Sequence, residues 1–226
     1  MVQKIGHRGA KGHLAENTLE SFQTALDLGV DAVELDVHVC ASGELVVFHD
    51  FTVDRMTNGT GEVHKLTLTE LKTLQVAGQF SIPTLVEVLD FIDRKCWVNV
   101  ELKGHGTAQP ATALLEQYVR EKGWLYDDFV VSSFQKEELE KVCASNPEIN
   151  LGVLTQASVE QALEWGMQLS AKAIHPHFSL LTEENCKEAV QKGFKVFTWT
   201  VNHQEDIHRL QEYDINGIIS DFPDRL

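Results

Sequence analysis

The stretch from Val33 to Asp50 holds the side chains best suited to chemistry. Glu34, Asp36 and His38 alternate with Val33, Leu35, Val37 and Val39, and His49-Asp50 lie a short distance on. Successive strand side chains point to opposite faces, so both carboxylates emerge on one side and the apolar residues on the other. If the apolar face packs on helices, the carboxylates face the interior of a sheet or barrel. Neighbouring like charges there are costly and require a bound cation or a salt-bridge partner. A turn at Ser42-Gly43 and an apolar return from Leu45 to Phe48 then bring the His49 imidazole close to them. A second strand, Trp97 to Gly104, turns Asn99, Glu101 and Lys103 away from Val98, Val100 and Leu102. Taken alone, Glu101 and Lys103 could simply pair with each other. His7-Arg8, between Gly6 and Gly9, could equally be a surface loop when taken alone.

Together these residues imply one kind of site. Three carboxylates with no neighbouring Cys favour a hard cation with oxygen ligands, Mg²⁺ or Ca²⁺. Arg8 and Lys103 would bind an anionic group, the guanidinium being suited to two phosphate oxygens at once. Cation, Arg and Lys around one pocket stabilise charge on a phosphoryl group. Two histidines supply a proton donor and a proton acceptor near neutral pH. Hydrolysis of a phosphodiester uses all of these parts.

The elements that must position these groups follow a β-then-α rhythm. Strands are expected at 4–7, 32–37, 96–102, 129–132, 150–154, 173–175, 195–198 and 217–220. Helices are expected from Leu19 to Gly29, from Thr67 to Leu74, from Thr84 to about Asp93, and over 109–122, 135–145, 158–167, 182–192 and 203–213. Asn17-Thr18-Leu19-Glu20, Thr67-Leu68-Thr69-Glu70 and Thr84-Leu85-Val86-Glu87 have the capping-box pattern. Eight strands in this order predict an α/β fold, a TIM (β/α)8 barrel with an insertion after the second strand. The chain reads as a single domain, 1–226, with 51–82 too long for an ordinary connection and expected to cap the active site. Active sites of such barrels lie at the C-terminal ends of the strands, where His7, Arg8, Glu34, Asp36, Glu101 and Lys103 would meet.

A length of 226 residues suits one such barrel. The formal net charge of −15 argues against nucleic acid or an anionic membrane as partner. No apolar stretch reaches transmembrane length and no signal-peptide pattern is present, so a cytoplasmic protein without a membrane anchor is expected. Cys40, Cys96, Cys143 and Cys186 are scattered and read as reduced, packed thiols. Glu16, Asp50 and Asp54 read as loop-fixing groups, Trp97, Trp124 and Trp165 as packing residues, and Asp221-Phe222-Pro223 as closing the barrel. His13, His38, His64, His105, His175, His177, His203 and His208 lack a common strand-end pattern and read as surface or structural residues.

The ordered set Gly6-His7-Arg8-Gly9, Glu16-Asn17-Thr18, Glu34-Leu35-Asp36, His49-Asp50, Asp54-Arg55 with Thr57-Asn58-Gly59-Thr60-Gly61, Glu101-Leu102-Lys103, Thr198-Trp199-Thr200-Val201-Asn202 and Ser220-Asp221-Phe222-Pro223 resembles the glycerophosphodiester phosphodiesterase family, compact bacterial type. The resemblance spans essentially the whole chain; Ala15, where the family usually has proline, is the visible departure. It implies a metal-dependent TIM-barrel hydrolase that cleaves glycerophosphodiesters to glycerol 3-phosphate and an alcohol such as choline or ethanolamine. It also implies Glu34, Asp36 and Glu101 as ligands of one divalent ion, and His7 and His49 as the acid/base pair. Arg8 and Lys103 would contact phosphate and Trp199 would line the pocket against the glycerol. A phospholipase D-like or lysophospholipase D hydrolase on the same barrel is the alternative enzyme, and a non-catalytic phosphate-binding barrel the alternative outside catalysis.

Overall fold

In the computed structural model, which describes residues 2–226, the alternation seen in the sequence separates two environments. Strands β1 (Gln3–Gly6), β2 (Ala32–Val39), β4 (Trp97–Leu102), β5 (Phe129–Ser133), β6 (Leu151–Thr155), β7 (Ala173–Pro176), β8 (Lys195–Thr198) and β9 (Gly217–Ser220) run parallel, in the order β1-β9-β8-β7-β6-β5-β4-β2. β1 also pairs with β2, placing Ile5 beside Ala32, and this closes the barrel. The eight expected strands are all present. The return run after Gly43 forms a further strand, β3 (Leu45–Val47), antiparallel to β2 with Val37 opposite Val47.

Outward residues such as Val33, Leu35, Val100 and Val131 are fully buried under the helices, against Phe22, Leu89, Leu115 and Leu139. These helices are α1 (Leu19–Asp27), α3 (Leu85–Ile92), α4 (Ala108–Lys122), α5 (Lys136–Ser145), α6 (Val159–Leu169), α7 (Glu183–Gln191) and α8 (Gln204–Gln211); the short α2 (Leu68–Lys72) lies in the segment after β3. Inside the barrel, Ile5, Ala32, Ala173, Phe197 and Ile219 form a small apolar plug. Beyond it, toward the strand C-termini, the inward positions turn polar: Asn99, Glu34, Asp36 and Glu101 are all buried. β9 leads into a 3₁₀ turn, Pro223–Arg225.

Thr67 and Thr84 make the expected reciprocal caps with Glu70 and Glu87. The first helix differs. Its N-cap is Thr18, which accepts from the Ser21 N–H, and Asn17 is not the cap. Asn17 instead sits in a left-handed conformation (φ 58°) and sends its amide into the barrel toward Asp36. α2 ends at Lys72, two residues short of the expected Leu74.

The segment 51–82 builds a separate small core with the β2–β3 hairpin, in which Val53, Val63, Leu71, Val76 and Ile82 pack on Cys40, Val46 and Phe48. Arg55 ties it to the barrel mouth through Asp50 and Glu16.

Candidate active site

His7 and Arg8 leave β1 on a turn that only small residues permit. Gly9 has φ 87°, and a Cβ there would lie 2.5 Å from the Ser21 hydroxyl. Arg8 is itself left-handed (φ 50°), and its backbone N–H donates to Glu34 Oε2 at 2.9 Å. This turn holds the His7 imidazole and the Arg8 guanidinium over the end of β2. Arg8 Nη1 donates to Glu16 at 2.8 Å and its Nε lies 3.2 Å from Asp36. Glu16 also accepts from Arg55, at 2.7 Å.

Glu34 and Asp36 point inward from β2, and Glu101 joins them from β4, where it pairs in register with Asp36. One carboxylate oxygen from each of the three lies within 4.8 Å of the others. Lys103 donates to Glu101 at 2.8 Å and stands 3.6 Å from Asp36, whose other oxygen accepts from Asn17 at 3.0 Å. Glu34 Oε1 and Asp36 Oδ1 are buried without a hydrogen-bond partner. Orphaned oxygens in a three-carboxylate cradle suit a hard divalent cation.

The electrostatics agree. Burial, with the Asp36 and Glu101 charges adding to it, pushes Glu34 well above the usual carboxylate range. Glu101 is raised to about 7, by burial first and Asp36 second. Burial opposes ionisation of Asp36 too, yet Arg8 and Lys103 outweigh it and hold that carboxyl below its usual value. Arg8 and Lys103 thus leave the burial of Glu34 and Glu101 uncompensated, and a cation between the three carboxylates would offset it.

Two imidazole–carboxylate pairs flank this cradle. His7 Nδ1 meets Asp221 Oδ1 at 2.5 Å and its Nε2 lies 3.9 Å from Glu34. Asp221, lowered to about 2 despite its burial, is further held by Asn202 at 2.9 Å. His49 Nδ1 meets Asp50 Oδ1 at 2.6 Å, and Arg55 grips Asp50 with two nitrogens. Burial lowers both imidazoles from their ordinary value, against the pull of their carboxylate partners. Because each Nδ1 is tied to a carboxylate, Nε2 is the nitrogen left for proton exchange.

The structure brings His7, Arg8, Glu34, His49, Glu101, Lys103 and Trp199 to one cavity of about 320 Å³ at the strand C-termini. Asp36 lies behind this wall and completes the cradle. Trp199 is fixed by donating from its indole to the His175 carbonyl at 2.7 Å, and meets Phe134 edge-on at 5.4 Å. Phe134, Leu154 and Ile219 make the rest of that wall apolar, while Asn99, Gln156 and Thr200 supply polar atoms.

Glu16 and Asp50 play the loop-fixing part expected of them. Asp221, read as a residue that closes the barrel, is in addition the partner of His7. Its position directly after the last strand, at the reactive end of the barrel, was the available signal. Asn99, Phe134 and Gln156 were not singled out as site residues; Asn99 shares the inward face of β4 with Glu101, and Phe134 and Gln156 stand just beyond the ends of β5 and β6.

Comparisons with known proteins agree over the same span. The model of the glycerophosphoryl diester phosphodiesterase family matches residues 7–225. The chain is 36% identical over 235 residues to a glycerophosphodiester phosphodiesterase of Caldanaerobacter subterraneus subsp. tengcongensis, covering 98% of this chain and 95% of the relative. It is 33% identical over 241 residues to a glycerophosphodiester phosphodiesterase of Bacillus altitudinis, with 100% and 96% covered. Among solved structures, an Oleispira antarctica phosphodiesterase in complex with the product sn-glycerol-3-phosphate superposes with a TM-score of 0.90 at 31% identity, with 99% of this chain and 94% of that one covered.

Proposed function

Since the chain belongs to the glycerophosphoryl diester phosphodiesterase family, we propose that it hydrolyses small glycerophosphodiesters, such as glycerophosphocholine and glycerophosphoethanolamine, to sn-glycerol 3-phosphate and the alcohol. The observation that carries this reading is the three-carboxylate cradle, within 4.8 Å, beside two imidazole–carboxylate pairs in one cavity. Glu34, Asp36 and Glu101 would hold one divalent ion, Mg²⁺ or Ca²⁺. When bound, it supplies positive charge to the phosphoryl oxygens.

The chain's own residues do the rest. Lys103 and Arg8 place fixed positive charge against the phosphate, and Glu16 and Asp36 keep the guanidinium from swinging away. One of His7 and His49 accepts a proton from the nucleophile at Nε2, and the other donates a proton at Nε2 to the departing alkoxide. Overall, the P–O bond to the alcohol breaks, a P–O bond to the oxygen of water forms, and the two protons of water are divided between the products. Asp221 and Asp50 hold the rings in the tautomer this requires and offset the charge that forms on them. Trp199 lines the pocket against the glycerol.

The whole chain acts as one domain, with 51–82 capping the site; the support is its separate small core and the Arg55 bridge to Asp50 and Glu16. A cytoplasmic setting is supported by four free cysteines. Among the described residues, no helix is long and apolar enough to cross a membrane. The test is release of glycerol 3-phosphate from glycerophosphocholine, with and without a chelator. Activity is expected to vanish with the chelator and to return on adding Mg²⁺ or Ca²⁺. Full activity in thoroughly chelated protein would refute the metal assignment.

A further inference from the structure

Phe51 is a large apolar side chain that the fold leaves open: it is 53% exposed, two residues after His49. Its ring stands edge-on to His38 at 5.1 Å. With Leu102, Phe134 and Gln135 it lines a second, smaller cavity of about 160 Å³. Glu101, Lys103 and Phe134 border both this groove and the main cavity, so the two adjoin at the phosphate-binding lysine.

Their chemistries differ. The main cavity offers Asn99, Gln156 and Thr200 to a polyol's hydroxyls. The groove offers two phenyl rings and a leucine, with polar side chains at its Glu101–Lys103 border and at Gln135, whose Nε2 donates to the Lys103 carbonyl at 2.9 Å. Hydroxyls placed against the two rings and Leu102 would lose water without gaining partners, whereas apolar surface would gain by leaving water. Nor is the groove closed to a cation. Lys103, 5.8 Å from the Phe134 ring, directs its ammonium at Glu101 at 2.8 Å, and the exposed Phe51 ring is left to meet a cation. A phosphodiester carries two substituents, and two adjoining pockets, one of mixed lining with several polar side chains and one dominated by aromatic rings, would sort them.

We propose that the groove between Phe51 and Phe134 is the subsite for the leaving alcohol, and that Phe51 sets a preference for alcohols with apolar surface over polyols. The methyl-covered headgroup of choline is one such alcohol. The inference rests on the diesterase activity described above.

It is tested by KM and kcat for glycerophosphocholine and glycerophosphoglycerol, using the wild-type chain, Phe51→Ala and Phe51→Leu. Phe51→Ala should raise KM for glycerophosphocholine roughly five- to tenfold with kcat retained. It should change KM for glycerophosphoglycerol by less than about twofold, and Phe51→Leu should restore most of the loss. Equal shifts on both substrates, or no shift on either, would overturn the subsite. A wild-type chain that releases glycerol 3-phosphate from neither diester overturns the activity itself, a distinct result obtained before any variant is compared. Thermal melts establish that each variant is folded, and if Phe51→Ala is not, Phe51→Gln, which keeps length but replaces the apolar ring, carries the comparison with the same selective rise in KM for glycerophosphocholine expected.

Discussion

His175 offers a sharp test of how burial governs this fold. It sits on β7 inside the barrel, fully buried, and neither ring nitrogen meets a protein partner. Its ring stands edge-on to Phe197 at 5.4 Å. Burial alone pushes the imidazole down from 6.5 to about 3. In the unfolded chain the same group takes up a proton near pH 6.5, so between pH 6.5 and about 3 the unfolded state binds the extra proton. Folding stability is therefore unaffected by His175 above that window and is lost progressively as pH falls through it. Each pH unit is worth about 1.4 kcal/mol, so moving from pH 7.5 to 5.0 should cost about 2 kcal/mol through this residue. Replacing His175 by Leu removes the titrating group while keeping similar bulk. Urea unfolding at both pH values, for wild type and His175→Leu, isolates the effect, because every other titrating group is common to both. The wild type should lose about 2 kcal/mol more than the variant on acidification. Parallel losses would refute the reasoning and show that the imidazole is solvated or partnered in the folded protein.

The remaining expectations concern the same barrel. His7→Ala and His49→Ala should each lower turnover roughly 10²–10⁴-fold in steady-state glycerol 3-phosphate release, and full activity in either variant would remove that histidine from proton transfer. Gly152→Ala would place a Cβ 2.6 Å from the His175 ring, since that ring occupies the space a β6 side chain would take. The variant should be destabilised by roughly 1–3 kcal/mol in urea titrations, and unchanged stability would mean that the His175 ring moves aside freely.

Much of this arrangement was legible in the residues themselves. The period-two alternation of Glu34 and Asp36 with valine and leucine specified which face of β2 looks inward, and Asn99 with Glu101 did the same for β4. Once eight such strands are counted, closure follows, and closure alone puts His7, Glu34 and Glu101 at one rim. Contacts that depend on non-local placement were less legible. The place of Asp221 just past β9 marks it for the reactive rim, but its partner His7 is set only once β9 docks beside β1. Asn17 misleads for a related reason: its type and position suit a helix cap, but its amide reaches Asp36 and Thr18 takes the cap instead. The groove beside Phe51 was invisible for the same physical cause, since its two rings come from segments more than eighty positions apart and meet only across Lys103.

The pairing of β1 with both β2 and β9 has a consequence for synthesis. His7 leaves the ribosome well ahead of the carboxylate it pairs with, Asp221, which lies 214 positions downstream. A nascent polypeptide therefore lacks the His7–Asp221 pair until β9 has been translated and has clicked into the ring. Equally, a cut that removed β9 would leave His7 without Asp221 and reopen the barrel between β1 and β8.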